Sequence, residues 1–383
     1  MTLRMLKFFS KNKKNKSSLK NTDEHHKASH FHTLKVSDIV KETVDCVSVG
    51  FTIPDDLRYD FEFIAGQNLT LRATINGEDV RRSYSLCSAP FEGVIRVAIK
   101  KVEDGVFSTW ACETLKVGDE VQVMTPTGGF IANTKDENEH HYVGIAAGSG
   151  ITPVISILKS VLFNEPKSSF TLFYGNKNAS SIIFKEELED LRNTYLGRLE
   201  IHNILSREDQ GMDYAHGRID AEKVKYFADN FIKVKDVFSY YICGPQEMTE
   251  ISRDTLESLG VDQGKIHFEL FTAATPAKAK TEKSKKSKSS VKSAVTIVLD
   301  GDETHFEVAT SGKNVLDAAL DAGADVPFAC KGAVCCTCRA KVMEGSAEMD
   351  MNYALTDEEV AEGFILTCQS HPTSPKLVVS YDE

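Results

Sequence analysis

The stretch Cys330-Lys331-Gly332-Ala333-Val334-Cys335-Cys336-Thr337-Cys338 decides the fold of the C-terminal part of the chain. It sets three cysteines in the spacing C-x4-C-x2-C, and Cys368 follows 30 residues after the last of them. Thiolates this close together are ligands of a metal centre when the chain loops around it. The chain has nine cysteines, an odd number that does not form the spaced pairs of a secreted disulfide framework. We therefore expect a reduced protein of the cytoplasm that carries a metal site.

This cysteine spacing resembles that of plant-type [2Fe-2S] ferredoxins. The small residues Gly332 and Ala333 allow backbone amides to approach the sulfurs, and such hydrogen bonds help to set the reduction potential. Zinc also binds four thiolates, but structural zinc sites favour two paired short spacings. We predict a [2Fe-2S] cluster, and we expect Cys336 to be a packed neighbour. The predicted ligands are Cys330, Cys335, Cys338 and Cys368.

Around the cysteines, residues 295–383 have the pattern of a small α+β domain. Two apolar runs, Val295 to Leu299 and Thr304 to Val308, predict a hairpin. Asn314 is placed to cap a helix that ends near Gly323. The resemblance to ferredoxins implies a β-grasp fold for this domain.

The formal net charge of the whole chain is -11, but charge is unevenly distributed. Two basic segments each precede an acidic part of the chain. Residues 1–30 contain eight Lys or Arg and two acids, and residues 272–294 contain seven Lys and one acid, whereas residues 295–383 contain sixteen acids and five bases. We predict a disordered tail at 1–31 and a flexible linker at 272–294, because neither segment has the apolar residues for a core. We expect no nucleic-acid partner.

Two interpretations of residues 1–30 stay open. The default is a solvated tail, and the alternative is a short amphipathic element that touches anionic lipid, because Met5, Leu6, Phe8 and Phe9 stand beside the lysines. The chain has no run of about 18 apolar residues, which excludes a transmembrane helix on sequence grounds.

Between the tail and the linker, the pattern predicts two further domains. In residues 32–134, short alternating runs such as Leu69–Ala73 and Ile95–Ile99 predict an antiparallel β-barrel. In residues 135–271, apolar strands alternate with helical stretches, which predicts a parallel sheet covered by helices. The fold class is therefore multidomain, with a β-barrel, an α/β domain and a ferredoxin-like domain.

The predicted barrel contains two candidate cofactor-binding segments. Arg82-Ser83-Tyr84-Ser85 offers a cation for a pyrophosphate, a ring for a flavin face and hydroxyls for the flavin edge. About twenty residues later a helix is predicted over Ser108–Leu115, and its N-terminal amides could hold the same pyrophosphate. The candidate residues in this second segment are Gly105, Val106, Ser108 and Thr109.

The α/β domain has glycine-rich or polar turns after three predicted strands, where open parallel sheets bind ligands. The first is a turn directly before a helix, where glycine allows a dinucleotide phosphate to approach the backbone. The second is Ser206-Arg207, and the third is a Cys-Gly-Pro turn. The candidate residues of the first and third turns are Gly148, Ser149, Gly150, Thr152, Pro153, Cys243, Gly244 and Pro245.

Together these motifs resemble the ferredoxin–NADP reductase superfamily over residues 32–271. With the ferredoxin-like domain added, residues 32–383 are similar to the reductase subunits of multicomponent oxygenases, in particular those of the phenylacetyl-CoA epoxidase group. The motifs that carry this similarity also include His267-Phe268-Glu269-Leu270-Phe271. The resemblance implies that the Arg-x-Tyr-Ser motif binds flavin, that the Gly-Ser-Gly turn receives the dinucleotide, and that the Cys-Gly-Pro turn lies beside the nicotinamide. It also implies that Phe271 covers the flavin, although the chain continues beyond that residue.

The expected function is electron transfer from NAD(P)H through FAD and the [2Fe-2S] cluster to a separate oxygenase, and we name no catalytic acid or base. The resemblance also implies that Ser206 and Arg207 hold the 2'-phosphate of NADPH, as a serine and an arginine do in plant-type reductases, and Arg218 could add a second charge, so NADPH is expected over NADH. FMN is the alternative to FAD. The phenylacetyl-CoA epoxidase of phenylacetate degradation is the expected partner system. The alternatives are a Rieske oxygenase or a fatty-acid desaturase as partner, or a binding module with inactive cofactors.

Overall fold

The computed structural model describes residues 30–271 and 292–383, so most of the predicted tail and most of the predicted linker lie outside the described residues. The described residues form three main sheets and one small two-stranded sheet. Within the described ranges, no helix is long and apolar enough to cross a membrane.

The first sheet has six strands, and every pair of neighbours in it is antiparallel. Its order is β4-β3-β6-β1-β2-β5, and a bridge between Leu86 and Val97 joins the two edges at one end. Alternate strand residues such as Leu69 and Leu71 point inward, and Phe107 from the helix of this domain packs in the same core. This confirms the predicted antiparallel barrel. Its elements are β1 (Phe31–Thr43), β2 (Cys46–Thr52), β3 (Asn68–Ile75), β4 (Glu78–Ser85), β5 (Ile95–Lys100), α1 (Val106–Glu113) and β6 (Glu120–Met124).

The second sheet has five parallel strands in the order β11-β10-β7-β8-β9. Helices α2 and α3 pack on one face, and α4 and α5 pack on the other. Burial on both faces explains the nearly continuous apolar strands of this region, and it confirms the predicted α/β domain. The elements are β7 (His141–Ala147), α2 (Ile151–Asn164), β8 (Ser169–Asn176), α3 (Lys185–Thr194), β9 (Leu199–Leu205), α4 (Ala221–Asn230), β10 (Val237–Gly244), α5 (Gln246–Ser258) and β11 (Ile266–Leu270).

Helix α2 joins this sheet to the barrel. The Ser156 hydroxyl donates to the Ser88 carbonyl at 2.6 Å. Lys159 is 4% exposed, and its Nζ lies 3.0 Å from Glu92 of the barrel and 2.9 Å from Glu187 of α3. Burial disfavours the charge of this lysine, but the two carboxylates raise its pKa and keep it protonated.

The third sheet has the order β13-β12-β18-β14-β16, with the pair β15 and β17 beside it. Asn314 Oδ1 accepts a hydrogen bond from the Asp317 amide at 2.8 Å, as expected of the predicted helix cap. This sheet with its packed helix confirms the α+β class of the domain. The elements are β12 (Lys292–Leu299), β13 (Asp302–Ala309), α6 (Val315–Asp321), β14 (Arg339–Glu344), β15 (Ala347–Met349), α7 (Asp357–Ala361), β16 (Phe364–Leu366), β17 (Ser370–Pro372) and β18 (Lys376–Ser380).

Three boundaries differ from those expected. Strand β12 begins at Lys292, within the range assigned to the linker, because Lys292 to Ala294 pair with β13 despite their polar composition. Strand β1 begins at Phe31, which pairs with Met124, so one residue of the expected tail belongs to the barrel. Helix α1 begins and ends two residues before the expected helix.

Candidate functional site

The four predicted cluster cysteines lie in two pairs around one loop. A hydrogen bond from Cys335 lowers the pKa of the Cys330 thiol to about 6, and a hydrogen bond from Cys338 lowers the pKa of Cys368. Cys368 reaches the loop from the turn between β16 and β17. Two adjacent thiol pairs provide the donor set that a two-iron cluster needs, with two sulfurs for each metal.

The backbone of this loop turns its amides toward the sulfurs. Lys331 and Ala333 have φ angles of 51° and 63°, in the left-handed region. The Gly332 amide donates to Cys330 Sγ at 3.3 Å, and the Ala333 amide donates to Cys368. Hydrogen bonds of this kind stabilise charge on cluster sulfurs.

The Cys336 thiol has a hydrogen-bond partner that is not one of the four predicted ligands. Its Sγ donates to the Ala354 carbonyl at 3.2 Å. Burial is the main cause that raises the pKa of this thiol to about 12, and the carboxylates of Glu359 and Glu269 contribute to the rise. The loop therefore lies within electrostatic range of Glu269, which is at the end of the nucleotide domain.

Gln369 is a residue of this site that sequence reasoning missed. Its Nε2 donates to the Lys331 carbonyl at 3.1 Å and lies 3.7 Å from Cys368 Sγ. The glutamine side chain thus ties the distant cysteine to the loop. Its position directly after Cys368 was the one available signal.

The predicted flavin motif occupies the end of β4, and its side chains alternate between the two faces of the strand. Arg82 is exposed, and Tyr84 packs against the barrel core with its ring 5.7 Å from that of Phe107 in α1. On the other face, the Ser83 hydroxyl donates to Asn68 Oδ1 at 2.8 Å. The aromatic ring and the guanidinium group therefore share a face, as a flavin ring and its phosphates require.

The N-terminus of α1 lies beside this face because of the contact between Phe107 and Tyr84. Ser108 is buried, and its Oγ accepts a hydrogen bond from the Val102 amide at 3.2 Å. A Cβ atom at Gly105 would lie 2.4 Å from the Val102 side chain, which explains the glycine. Val106 is exposed and Thr109 is partly buried, so the first turn of α1 is accessible to a phosphate.

Ser85 connects the flavin motif to the nucleotide domain. Its hydroxyl donates to Glu269 Oε2 at 2.9 Å. Burial of the carboxyl group raises the pKa of Glu269 to about 7, against the lowering effect of the Ser85 hydrogen bond. Sequence reasoning quoted Glu269 within a family motif but did not select it as a site residue. Phe271, which it did select, is 38% exposed.

The predicted dinucleotide turn follows β7 and packs directly on the end of β10. A Cβ atom at Gly150 would lie 2.0 Å from the Cys243 carbonyl oxygen and 2.8 Å from the Gly244 amide nitrogen. Gly148 has a φ of 54°, and its carbonyl accepts a hydrogen bond from the Tyr174 hydroxyl at 2.9 Å. The two predicted nucleotide turns are thus in contact with each other.

Two other residues of the first turn begin helix α2. The Thr152 hydroxyl donates to the Ser149 carbonyl at 3.0 Å, and Pro153 occupies the first helical turn, where its missing amide is tolerated. Pro245 lies immediately before α5, at the N-cap position of that helix. Both helices therefore direct their N-termini toward the carboxyl edge of the sheet, which is the ligand edge of open α/β folds.

The predicted 2'-phosphate residues lie at the end of β9. The Ser206 amide donates to the Asn176 carbonyl at 2.9 Å, and the Gly217 amide returns to the Leu205 carbonyl at 3.1 Å. This return brings Arg218 beside the Ser206 turn. Arg207 and Arg218 are both exposed, so their guanidinium groups are accessible to a charged ligand.

Comparison with known families covers each of the three bodies. Residues 33–131 match the family described as the oxidoreductase FAD-binding domain, and residues 145–254 match the oxidoreductase NAD-binding domain. Residues 297–373 match the 2Fe-2S iron-sulfur cluster binding domain.

Individual relatives extend over nearly the whole chain. One of the subunits of 1,2-phenylacetyl-CoA epoxidase from Escherichia coli (strain K12) is 39% identical over 352 residues, which cover 92% of this chain and 98% of that protein. The ferredoxin reductase component of 3-ketosteroid-9-alpha-monooxygenase from Rhodococcus rhodochrous is 32% identical, with 91% and 96% covered. The solved structure of phthalate dioxygenase reductase is 25% identical with a TM-score of 0.54, and the match covers 91% of this chain and 98% of that one.

Proposed function

Since the chain belongs to the family of oxygenase reductase components that combine FAD-binding, NAD-binding and 2Fe-2S domains, we propose that its acceptor is the oxygenase of a phenylacetyl-CoA epoxidase system. The chain is an oxidoreductase that transfers electrons from a nicotinamide nucleotide to an oxygenase component. The observation that supports the choice of acceptor is the 39% identity to the epoxidase protein, against 32% for a ketosteroid monooxygenase reductase of similar coverage.

When bound, FAD would supply the conversion between two-electron chemistry with NAD(P)H and one-electron chemistry, and the cluster would supply one-electron transfer. The protein orients these groups and adjusts their electrostatic surroundings. The proposed cluster ligands are Cys330, Cys335, Cys338 and Cys368, supported by their two thiol pairs and by the amides of the loop. Cluster assembly needs reduced thiols, which supports the cytoplasm as the site of action.

For the flavin, we propose that Tyr84 packs against the ring, that Ser85 contacts the ring edge, and that Arg82 with the start of α1 holds the pyrophosphate. The shared face of Arg82 and Tyr84 and the adjoining helix support this assignment. The further proposed contacts in these segments are Ser83, Gly105, Val106, Ser108 and Thr109. Phe271 remains a proposed cover of the flavin.

For the nucleotide, we propose binding at the turn over Gly148–Pro153, with the nicotinamide beside Cys243–Pro245. The close packing of Gly150 on Cys243 supports a shared site. We propose NADPH as the preferred donor, with its 2'-phosphate held by Ser206, Arg207 and Arg218. The exposure of both arginines at one turn supports this preference.

Reconstitution with defined oxygenases tests the choice of acceptor. The purified holoprotein is combined with the oxygenase component of the Escherichia coli phenylacetyl-CoA epoxidase, or with that of a 3-ketosteroid monooxygenase, and product is measured per NADPH consumed. We expect coupled epoxidation of phenylacetyl-CoA with the first oxygenase and only uncoupled NADPH oxidation with the second. Coupled turnover with the ketosteroid system alone would contradict the proposal.

A further inference from the structure

Two adjacent arginines of β4 lie on opposite faces of the strand. In the pairing of β3 with β4, Arg82 is opposite Leu71, whereas Arg81 is opposite Arg72. Arg82 is exposed on the face that carries Tyr84, but Arg81 is 5% exposed. A buried guanidinium group needs partners for its charge and its donors, and the partners of Arg81 come from two domains.

The cluster domain supplies three of these partners, all from the segment that leads into Cys330. Arg81 Nη2 donates to Asp325 Oδ1 at 2.8 Å, and Nη1 donates to the Val326 carbonyl at 3.4 Å. The guanidinium group also lies 4.4 Å from the centroid of the Phe328 ring. Arg81 therefore contacts Asp325, Val326 and Phe328, which end two residues before the first predicted cluster ligand.

The barrel completes the network around Arg81. Asp79 Oδ2 accepts from Arg81 at 3.0 Å and from Arg72 at 2.9 Å, and Arg72 also lies 3.5 Å from Asp325. Two arginines thus alternate with two aspartates across the interface. The planar, forked guanidinium group suits this bridging role, whereas a lysine offers one compact charge.

A second contact occurs where the cluster loop itself meets the barrel. The hydroxyls of Thr70 and Thr337 are hydrogen-bonded at 3.0 Å, and both residues are buried. Thr337 stands between Cys336 and Cys338. The loop therefore lies against the same face of β3 and β4 that carries Arg81.

We propose that Arg81 is a positioning residue that docks the cluster domain on the flavin barrel and thereby sets the rate of electron transfer from flavin to cluster. This inference rests on the proposed flavin and cluster sites. Arg82 serves the flavin on one face of β4, and Arg81 serves the cluster domain on the other. Neither Arg81 nor Asp325 has a role in hydride transfer.

Stopped-flow reduction of the holoprotein by NADPH, without oxygen, tests the proposal in Arg81→Met, Arg81→Lys and Asp325→Asn. The flavin and cluster absorption bands are followed separately. Removing a charge-assisted contact of this kind lowers the equilibrium constant for docking of the cluster domain on the barrel by about tenfold or more. We expect cluster reduction to slow by about that factor in the methionine and asparagine variants, with flavin reduction unchanged and partial recovery in the lysine variant.

Arg96→Met is the matched control, because the partners of Arg96, Asp38 and Ser48, both belong to the barrel. We expect both rates to be unchanged in this variant. Small-angle scattering of the oxidised proteins is an independent measurement, in which loss of docking raises the radius of gyration for Arg81→Met and Asp325→Asn only. The scattering measurement tests docking even if the unmodified protein fails to reduce its cluster. That failure would count against the proposed function and not against the docking role of Arg81.

Normal cluster reduction and an unchanged radius in Asp325→Asn would overturn the proposal, whether or not Arg81→Met folds. A parallel fall of flavin and cluster reduction in Arg81→Met would also overturn it, because Arg81 would then belong to the flavin site.

Discussion

Replacing Glu269 with glutamine should make the stability of the protein less dependent on pH. Burial raises the pKa of Glu269 from its ordinary value of 4.5 to about 7. The folded protein therefore holds this proton more tightly than the unfolded chain. As pH rises from 4.5 through 7, ionisation of the buried carboxyl destabilises the fold, by up to about 3 kcal/mol at about 1.4 kcal/mol per pH unit.

Glutamine keeps an oxygen that can accept from Ser85 but cannot ionise. We expect Glu269→Gln to resemble the unmodified protein near pH 4.5 and to be more stable above pH 7 by up to about 3 kcal/mol. Urea unfolding with flavin release as the signal, at several pH values between about 5 and 8.5, measures the difference. Glu137→Gln, at an exposed loop residue of the same domain, is the control. A stability difference for Glu269→Gln that is independent of pH would refute the reasoning.

Three further predictions, two of them with a matched control variant, test the remaining site assignments. Cys335→Ser should lose the iron-sulfur absorption and keep flavin, whereas Cys336→Ser should keep both, because the Cys336 thiol donates to the Ala354 carbonyl. Visible spectra that show the cluster in Cys335→Ser and its loss in Cys336→Ser would disprove the ligand set. Arg207→Ala should raise the KM for NADPH by about tenfold or more, as expected for loss of a charge-assisted contact, with the KM for NADH as the internal comparison. Gly150→Ala should weaken nucleotide binding and lower the stability of the protein by about 1–3 kcal/mol, because the added Cβ would lie 2.0 Å from the Cys243 carbonyl oxygen. The control is Gly129→Ala, which has open space around it and should leave the stability measured by calorimetry nearly unchanged.

The sequence predicted best the features that depend on the spacing of residues close together in the chain. Four cysteines within nine residues favour a loop around a metal centre, and residues 297–373 do match the 2Fe-2S iron-sulfur cluster binding domain. Strand and helix alternation likewise predicted the parallel sheet, because each strand is buried on both faces and reads as an apolar run. The predicted turns do follow the carboxyl ends of strands β7, β9 and β10.

The features that sequence reasoning missed depend on contacts between distant segments. Arg81 and Arg82 are neighbours in the chain, and only the register of β4 against β3 shows which of them faces the cluster domain. The partner of Arg81, Asp325, is 244 residues away. Glu269 meets Ser85 across two domains, and burial alone raises its pKa. Lys292 was assigned to the linker because its composition is that of the lysine-rich segment, whereas its backbone pairs with Ala309 and its side chain forms an ion pair with Glu307 of β13.

The buried Lys159 has a consequence for engineering by domain exchange. Its ammonium group is neutralised from both sides, by Glu92 of the barrel and by Glu187 of its own domain. A chimera that took its barrel from a relative without an acid at the position of Glu92 would leave a buried cation with one partner, a defect that costs several kcal/mol. The flavin and nucleotide domains should therefore be exchanged together, so that Lys159 keeps both carboxylates. A single domain can be exchanged only if Lys159, Glu92 and Glu187 are replaced together by apolar side chains of similar volume.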